Sequence, residues 1–171
     1  MKTSLVLTCI GPDRPGLVES LSRVVADHDG NWVESRMAHL AGKFAGLLRV
    51  EVPDGRSGEL ARALESLADG GLRVTVEPSE PDETPPTRLL KLSLVGQDRP
   101  GIVREISRVL ASQSVNVEEL ETSCTSAPDA GLPLFRAHAT LHVPTAVETD
   151  ALRAALEEIA NDLMVDVDLE A

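Results

Sequence analysis

Aromatic residues are almost missing from this chain: Trp32, Phe44 and Phe135 are the only ones among 171 residues, and there is no tyrosine. The core is therefore expected to be aliphatic, built from Leu, Val, Ile and Ala, and an apolar content of 42% is enough to build it. Single-stranded nucleic acids are held largely by aromatic stacking platforms, which this composition cannot supply. Bases are also in deficit, 16 against 28 acids, for a formal net charge of −12. Phosphate backbones are bound by clustered Lys and Arg, and no run of either exists. The charge argues against direct nucleic-acid binding and against anionic membrane surfaces.

Long hydrophobic runs are lacking too. No stretch approaches the ~20 apolar residues of a membrane span. The opening residues, Met1 to Thr8, carry one base and soon meet Gly11-Pro12-Asp13, which is unlike a signal peptide. Cys9 and Cys124 stand far apart, in no metal or redox spacing, so a cytoplasmic protein with reduced thiols is expected. Phosphate-binding loops, dinucleotide fingerprints and nucleophile elbows are absent. His138 and His142, if on a strand, would lie about 13 Å apart. That is too far to share a zinc at bond lengths of ~2 Å. Cys9, in an apolar strand, reads as a small hydrophobe, and Cys124 has no evident base. His28 reads as a helix-boundary residue, and His39 is expected to face solvent or the sheet. Glu118-Glu119-Leu120-Glu121 reads as solvated strand-edge charge. Neither an enzyme nor a metal or cofactor is expected.

What the chain does contain is a repeat of itself. Residues 5–36 align without gaps on 90–121, and 14 of the 32 positions are identical. Val52-Pro53 then answers Val143-Pro144 at a larger offset, so the second copy carries about six extra residues, expected within Thr125–Pro133. Between the copies lies Pro78-Ser79-Glu80-Pro81-Asp82-Glu83-Thr84-Pro85-Pro86-Thr87, a Pro-rich acidic linker expected to be extended and stiff. The expected organisation is a first domain over 1–78, a linker over 79–87 and a second domain over 88–171.

Each copy reads as strand–helix–strand–strand–helix–strand. Leu5 to Ile10 is a β-rich run, apolar on both faces. Leu17, Leu21, Val24, Val25 and His28 form a helical stripe. Trp32–Leu40 and Lys43–Val52 are strands joined by a tight Ala41-Gly42 hairpin. Leu60, Ala63, Leu64 and Leu67 mark a second helix, stopped by Gly70-Gly71, and Leu72–Val76 closes the sheet. Ile102, Val103, Ile106, Val109 and Leu110, then Leu152, Ala155, Leu156 and Ile159, repeat the two helices. The fold class is α+β: two tandem ferredoxin-like βαββαβ domains, each an antiparallel four-stranded sheet with both helices on one face. The other face must be covered or stay polar, and edge-to-edge pairing of the copies is one way to protect exposed edges.

The sharpest motif is Gly11-x-Asp13-Arg14-Pro15-Gly16 and its twin Gly96-x-Asp98-Arg99-Pro100-Gly101, between first strand and first helix. Asp13 suits an N-cap, accepting from free N–H groups of the first turn. Pro15 costs no hydrogen bond in that turn, and Gly16 leaves room for a backbone or a ligand to approach. A helix N-terminus without obstructing side chains suits a small carboxylate, although a well-capped helix explains the motif equally. Asn31 and Asn116 fall fifteen residues after each motif glycine. They read either as turn residues or as a donor and acceptor for an amino-acid headgroup.

The Asp-Arg-Pro-Gly turn, the trailing Asn and the βαββαβ order resemble ACT domains, regulatory modules that bind amino acids. The stretch from Asn31 to Phe44, with the tandem layout, resembles the glycine cleavage system transcriptional repressor family over nearly the whole chain. The resemblance implies a regulator without enzymatic activity, acting through a separate DNA-binding activator protein, with glycine as effector and no cofactor. It implies ligand sites where the first loop of one module faces a partner module: Asp13, Arg14, Gly16, Leu17 and Asn31 in the first copy, Asp98, Arg99, Gly101, Ile102 and Asn116 in the second. Both motifs are intact, whereas some family members have a degenerate second copy, so the number of sites stays open, as does homo-oligomer formation. A ligand-free interaction module and an enzyme on a ferredoxin-like scaffold are the alternatives.

Overall fold

The computed structural model describes residues 1–80, 86–126 and 133–171. The chain divides into two compact units, Met1–Asp82 and Glu83–Ala171. Most of the span Thr125–Pro133, where the insert is expected, and most of the linker lie outside the described residues, at 127–132 and 81–85.

In the first unit β1 (Lys2–Pro12) leads to α1 (Leu17–Asp27), β2 (Asn31–Leu40), β3 (Lys43–Pro53), α2 (Ser57–Glu65), a 3-10 turn (Ser66–Gly70) and β4 (Arg73–Pro78). The second unit repeats the order as β5 (Thr87–Gln97), α3 (Ile102–Ser112), β6 (Asn116–Ser126), β7 (Pro133–Pro144), α4 (Thr149–Leu163) and β8 (Val165–Glu170). Each sheet is fully antiparallel, in the order β2-β3-β1-β4 and β6-β7-β5-β8. These are the two ferredoxin-like units that the repeat predicts.

Alternation builds the core. Leu5, Leu7 and Cys9 of β1 and Leu48, Val50 and Val52 of β3 are buried on one face. Against them pack Leu17, Leu21 and Val25 of α1 and Leu60 and Leu64 of α2, at helical spacing. Leu90, Leu92 and Leu94 with Ile102, Ile106, Leu110, Leu152 and Leu156 make the equivalent core. The Ala41-Gly42 hairpin has positive φ at both residues, 48 and 76, as a type I′ turn demands. One repeated feature left no clear signal in the sequence: β2 shifts register between Trp32 and Glu34, and β6 at the equivalent Val117 and Glu119. This bulge turns Ser35, Met37 and His39 towards the helices.

The opposite faces differ. In the first unit Ile10, Leu40 and Leu47 remain exposed. In the second that face carries His138 and His142, with Ser93 against His138 at 3.1 Å and Glu118 against His142 Nε2 at 2.9 Å. Glu118 is therefore engaged with the His142 imidazole rather than merely solvated edge charge. No described helix is long and apolar enough to cross a membrane.

The first motif glycine owes its place to packing. A Cβ on Gly96 would stand 2.4 Å from Val165 Cγ1 and 2.8 Å from Val165 Cα, and one on Gly11 would stand 2.6 Å from the Gly71 carbonyl oxygen. The start of the last strand passes too close for a side chain. Gly96→Ala is accordingly expected to destabilise the second unit by about 1–3 kcal/mol. A urea unfolding midpoint equal to that of the parent would show that β8 can shift aside at little cost.

Candidate functional site

Where β1 ends, the Asp-Arg-Pro-Gly turn crosses to α1. Gly16 is the N-cap, with φ 91 and ψ 1, and Gly101 is its twin, with φ 101 and ψ −7. This is the backbone of the third position of a type II turn, which takes glycine after a proline. A Cβ on Gly16 would meet nothing within 4 Å. The glycine is thus required by its dihedral angle rather than by crowding within the module. No side chain caps either helix. The first intrahelical bonds run from Ser20 N–H to the Gly16 carbonyl and from Glu105 N–H to the Gly101 carbonyl, 2.9 and 3.0 Å long. The three N–H groups before each, those of Leu17, Val18 and Glu19 and of Ile102, Val103 and Arg104, precede the helical ladder. They carry the positive end of the helix dipole.

The N-cap role expected of Asp13 is therefore wrong. The glycine turn inserts two residues between Asp13 and the cap position, too many for its carboxylate to serve the first turn. Its N–H is instead tied to the Gly42 carbonyl at 2.9 Å, and its carboxylate accepts from His39 Nδ1 at 2.5 Å. Arg14 donates to the Gly70 carbonyl, and Arg99 to the Asp162 carbonyl at 2.6 Å. Each motif arginine ties the turn to the end of the second helical segment of its unit. Leu17 and Ile102 are buried, so only their main chains face the turn.

Asn31 and Asn116 stand elsewhere. Asn31 is level with Glu51 and Ser4, whereas the turn is level with Phe44 and His39. Seven residues of β1 separate the two levels, which is about 23 Å along the strand. Within one unit, Asn31 and Gly16 cannot hold the same headgroup. The equivalent separation holds for Asn116, level with His142, and Gly96, level with Phe135.

His39, expected to face solvent or the sheet, is exposed and stands at the turn against Asp13, a pairing that sequence reasoning missed. Its equivalent in the second unit, placed opposite Phe135 as His39 is opposite Phe44, is Cys124. The Asp98 carboxylate neighbours this thiol. Partial desolvation and the neighbouring Asp98 carboxylate push the thiol above its ordinary range. The offset of 85 residues that aligns the motifs also aligns these two positions. The signal was therefore in the repeat, but it lies beyond the stretch where the copies are alike. Among the described residues, no three His, Cys, Asp or Glu side chains converge on a metal position.

A pair of βαββαβ units, each with an uncapped helix N-terminus behind a glycine turn and a carboxylate beside it, defines the class: tandem ferredoxin-like modules with a turn-centred polar site. The model of the ACT-domain family matches residues 3–77, within the first unit. It is similar over 99% of its length to a protein of unknown function from Galdieria sulphuraria, with 33% identity, 98% of that chain covered and a TM-score of 0.91. A protein provisionally named a glycine cleavage system transcriptional repressor shares the fold at a TM-score of 0.72 and 18% identity, with 99% of this chain and 97% of that one covered. No curated protein matches the sequence.

Two outcomes test the turn. Gly16→Ala is expected to cost about 1–2 kcal/mol, the penalty of a left-handed backbone, and Gly16→Asn less, because asparagine tolerates that region better. Equal unfolding midpoints for parent and Ala variant would mean that the turn relaxes out of positive φ. Asp98→Asn removes a charge that holds Cys124 protonated, so iodoacetamide should alkylate Cys124 faster at pH 8 in that variant. Unchanged alkylation, followed by peptide mass, would dissociate the thiol from Asp98.

Proposed function

We propose that the chain is a non-enzymatic regulatory protein whose turns bind the headgroup of an α-amino acid. One observation carries the reading. In both units an uncapped helix N-terminus stands beside an aspartate on the same turn. The zwitterion has the complementary pattern. Its carboxylate suits the N–H groups of Leu17 and Val18, or Ile102 and Val103. Its ammonium suits the carboxylate of Asp13 or Asp98. Gly16 and Gly101 leave the approach open, while Arg14 and Arg99 fix the turn. Asn31 and Asn116 fall outside a headgroup site centred on the turn of their own unit.

The fold shared with a provisionally named glycine cleavage repressor supports a role in transcription of glycine cleavage genes. With a net charge of −12, the chain would act through a DNA-binding protein partner rather than on DNA. Glycine is the first effector to try, although the headgroup argument holds for any α-amino acid. A ligand controls the partner only by binding one form of the protein more tightly than another. Coupling of about 1–3 kcal/mol is typical of such control.

Calorimetric titration with the common amino acids tests the reading. Saturable binding is expected for at least one, with N-acetylation of that ligand and the Asp13→Asn/Asp98→Asn double variant each weakening it tenfold or more. Affinity indifferent to both changes would remove the aspartates from the site. Failure of every amino acid would leave a ligand-free interaction module.

A further inference from the structure

The outer faces of the two sheets, turned away from the helices, carry different surfaces on the same backbone. In the first unit the cross-strand pairs set that face out row by row. Ala38, Ala45, Ile10 and Arg73 form one row across β2, β3, β1 and β4, and Arg36, Leu47, Thr8 and Thr75 form the next. Ile10, Leu40 and Leu47 are exposed there, with Ala38 and Ala45 between them. Contiguous apolar surface with a polar rim marks an interaction site. The repeat supplies a control within the same chain. Val95, Arg136 and Ser123 stand at the places of Ile10, Ala45 and Ala38, and His138 at that of Leu47. The fold tolerates a polar outer face, so the apolar one is particular to the first unit.

The occupant that fits this face is the same face of a second copy. Two sheets packed face to face keep their strands within about 30° of each other. A two-fold axis along the strands, between β3 and β1, lays β3 of one copy over β1 of the other and β2 over β4, row upon row. Ala45 then meets Ile10 of the second copy, a small side chain against a large one, and Leu47 meets Thr8. Arg36 falls over Thr75, Arg73 over Ala38 and Lys43 over Pro12, so these bases meet uncharged residues. Glu34 falls over Glu77 at the rim, where Arg49 already pairs with Glu34 at 3.6 Å. The same operation on the second unit would set Glu121 over Asp168 and Glu119 over Glu170, acid against acid in two successive rows, an arrangement that opposes association. Four strands ~4.8 Å apart and five rows ~6.8 Å apart make a face of roughly 600 Å2, so two faces together hide ~1,200 Å2, the lower end of stable specific interfaces.

We propose that the protein is a two-fold dimer joined through the outer faces of its first units, with Ile10, Ala45 and Leu47 at the centre of the contact and the charged outer face of the second unit left in water. Two-fold pairing is the commonest closed arrangement of identical chains. Because such a contact is made twice by the same residues, each substitution in the patch acts on both copies. The dimer is independent of the amino-acid reading of the turns, which lie at the junction of sheet and helix rather than on the outer face.

Sedimentation velocity over a range of concentrations tests this on the full-length protein and three variants. Leu47→Glu places a charge in the patch. Ala45→Arg gives the first unit the residue that the second carries at the same place. His138→Glu is the matched control, since His138 is the twin of Leu47 on the outer face of the second unit. Circular dichroism and a thermal melt establish that each variant folds. The expected result is a particle of twice the 18.2 kDa chain mass for the parent and for His138→Glu, with dimer dissociation at least tenfold easier in Leu47→Glu and in Ala45→Arg. A parent that stays monomeric overturns the inference and leaves the patch to a different protein. A dimer as tight in both patch variants as in the parent, or one that His138→Glu weakens equally, overturns it as well, because the contact then lies elsewhere.

Discussion

At the end of each central strand, the last strand of the unit begins so near that no side chain fits between them. Much of the local geometry follows from this contact. Gly11 and Gly96 accept the neighbouring backbone, and the chain then has to leave the sheet and reverse onto its helical face within a few residues. Proline followed by a glycine at positive φ makes that reversal, and the arginine between ties it to the end of the second helical segment. The helix begins without a capping side chain because the turn, not a cap, sets its start. The free N–H groups are therefore a by-product of how tightly the sheet closes.

Much of this was legible in the sequence. Periodicity separated helices from strands, because aliphatic residues alternate in β1 and β5 and recur at helical spacing in α1 and α3. The internal repeat doubled the evidence for each element. The site was less legible. Asp13 has the chemistry of an N-cap, and only the dihedral angles of Gly16 move it out of capping range. His39 lies 26 residues from its partner Asp13, a separation that no local pattern reports. The bulge that turns His39 towards the helices is also hidden, since Trp32-Val33-Glu34 contains no glycine or proline to mark it. Asn31 drew attention by its spacing from the motif, but spacing along a chain that reverses direction is a poor guide to distance.

The two units keep what the backbone requires and diverge where side chains alone are at stake. The motif glycines persist in both copies, Gly11 and Gly96 at the close approach and Gly16 and Gly101 at positive φ, whereas Gly30 and Gly46 have become Val115 and Ala137. His39 has become Cys124, Trp32 has become Val117, and Leu48 has become Ala139. The open sheet faces have diverged too: one leaves Ile10, Leu40 and Leu47 uncovered, while the other carries histidines paired to hydroxyl and carboxylate partners. Comparing one half of the chain with the other separates the demands of the fold from choices that are free to vary.

The replacement of His39 by Cys124 has a consequence for how such a chain can respond. A symmetric dimer of identical single modules must alter both of its turns whenever it alters one. A chain that holds both modules in one polypeptide escapes that restriction, and these turns have used the freedom. One places an imidazole against its aspartate and the other a thiol. Two unlike turns on one molecule need not change together, so the chemistry beside one aspartate can vary while that beside the other is kept.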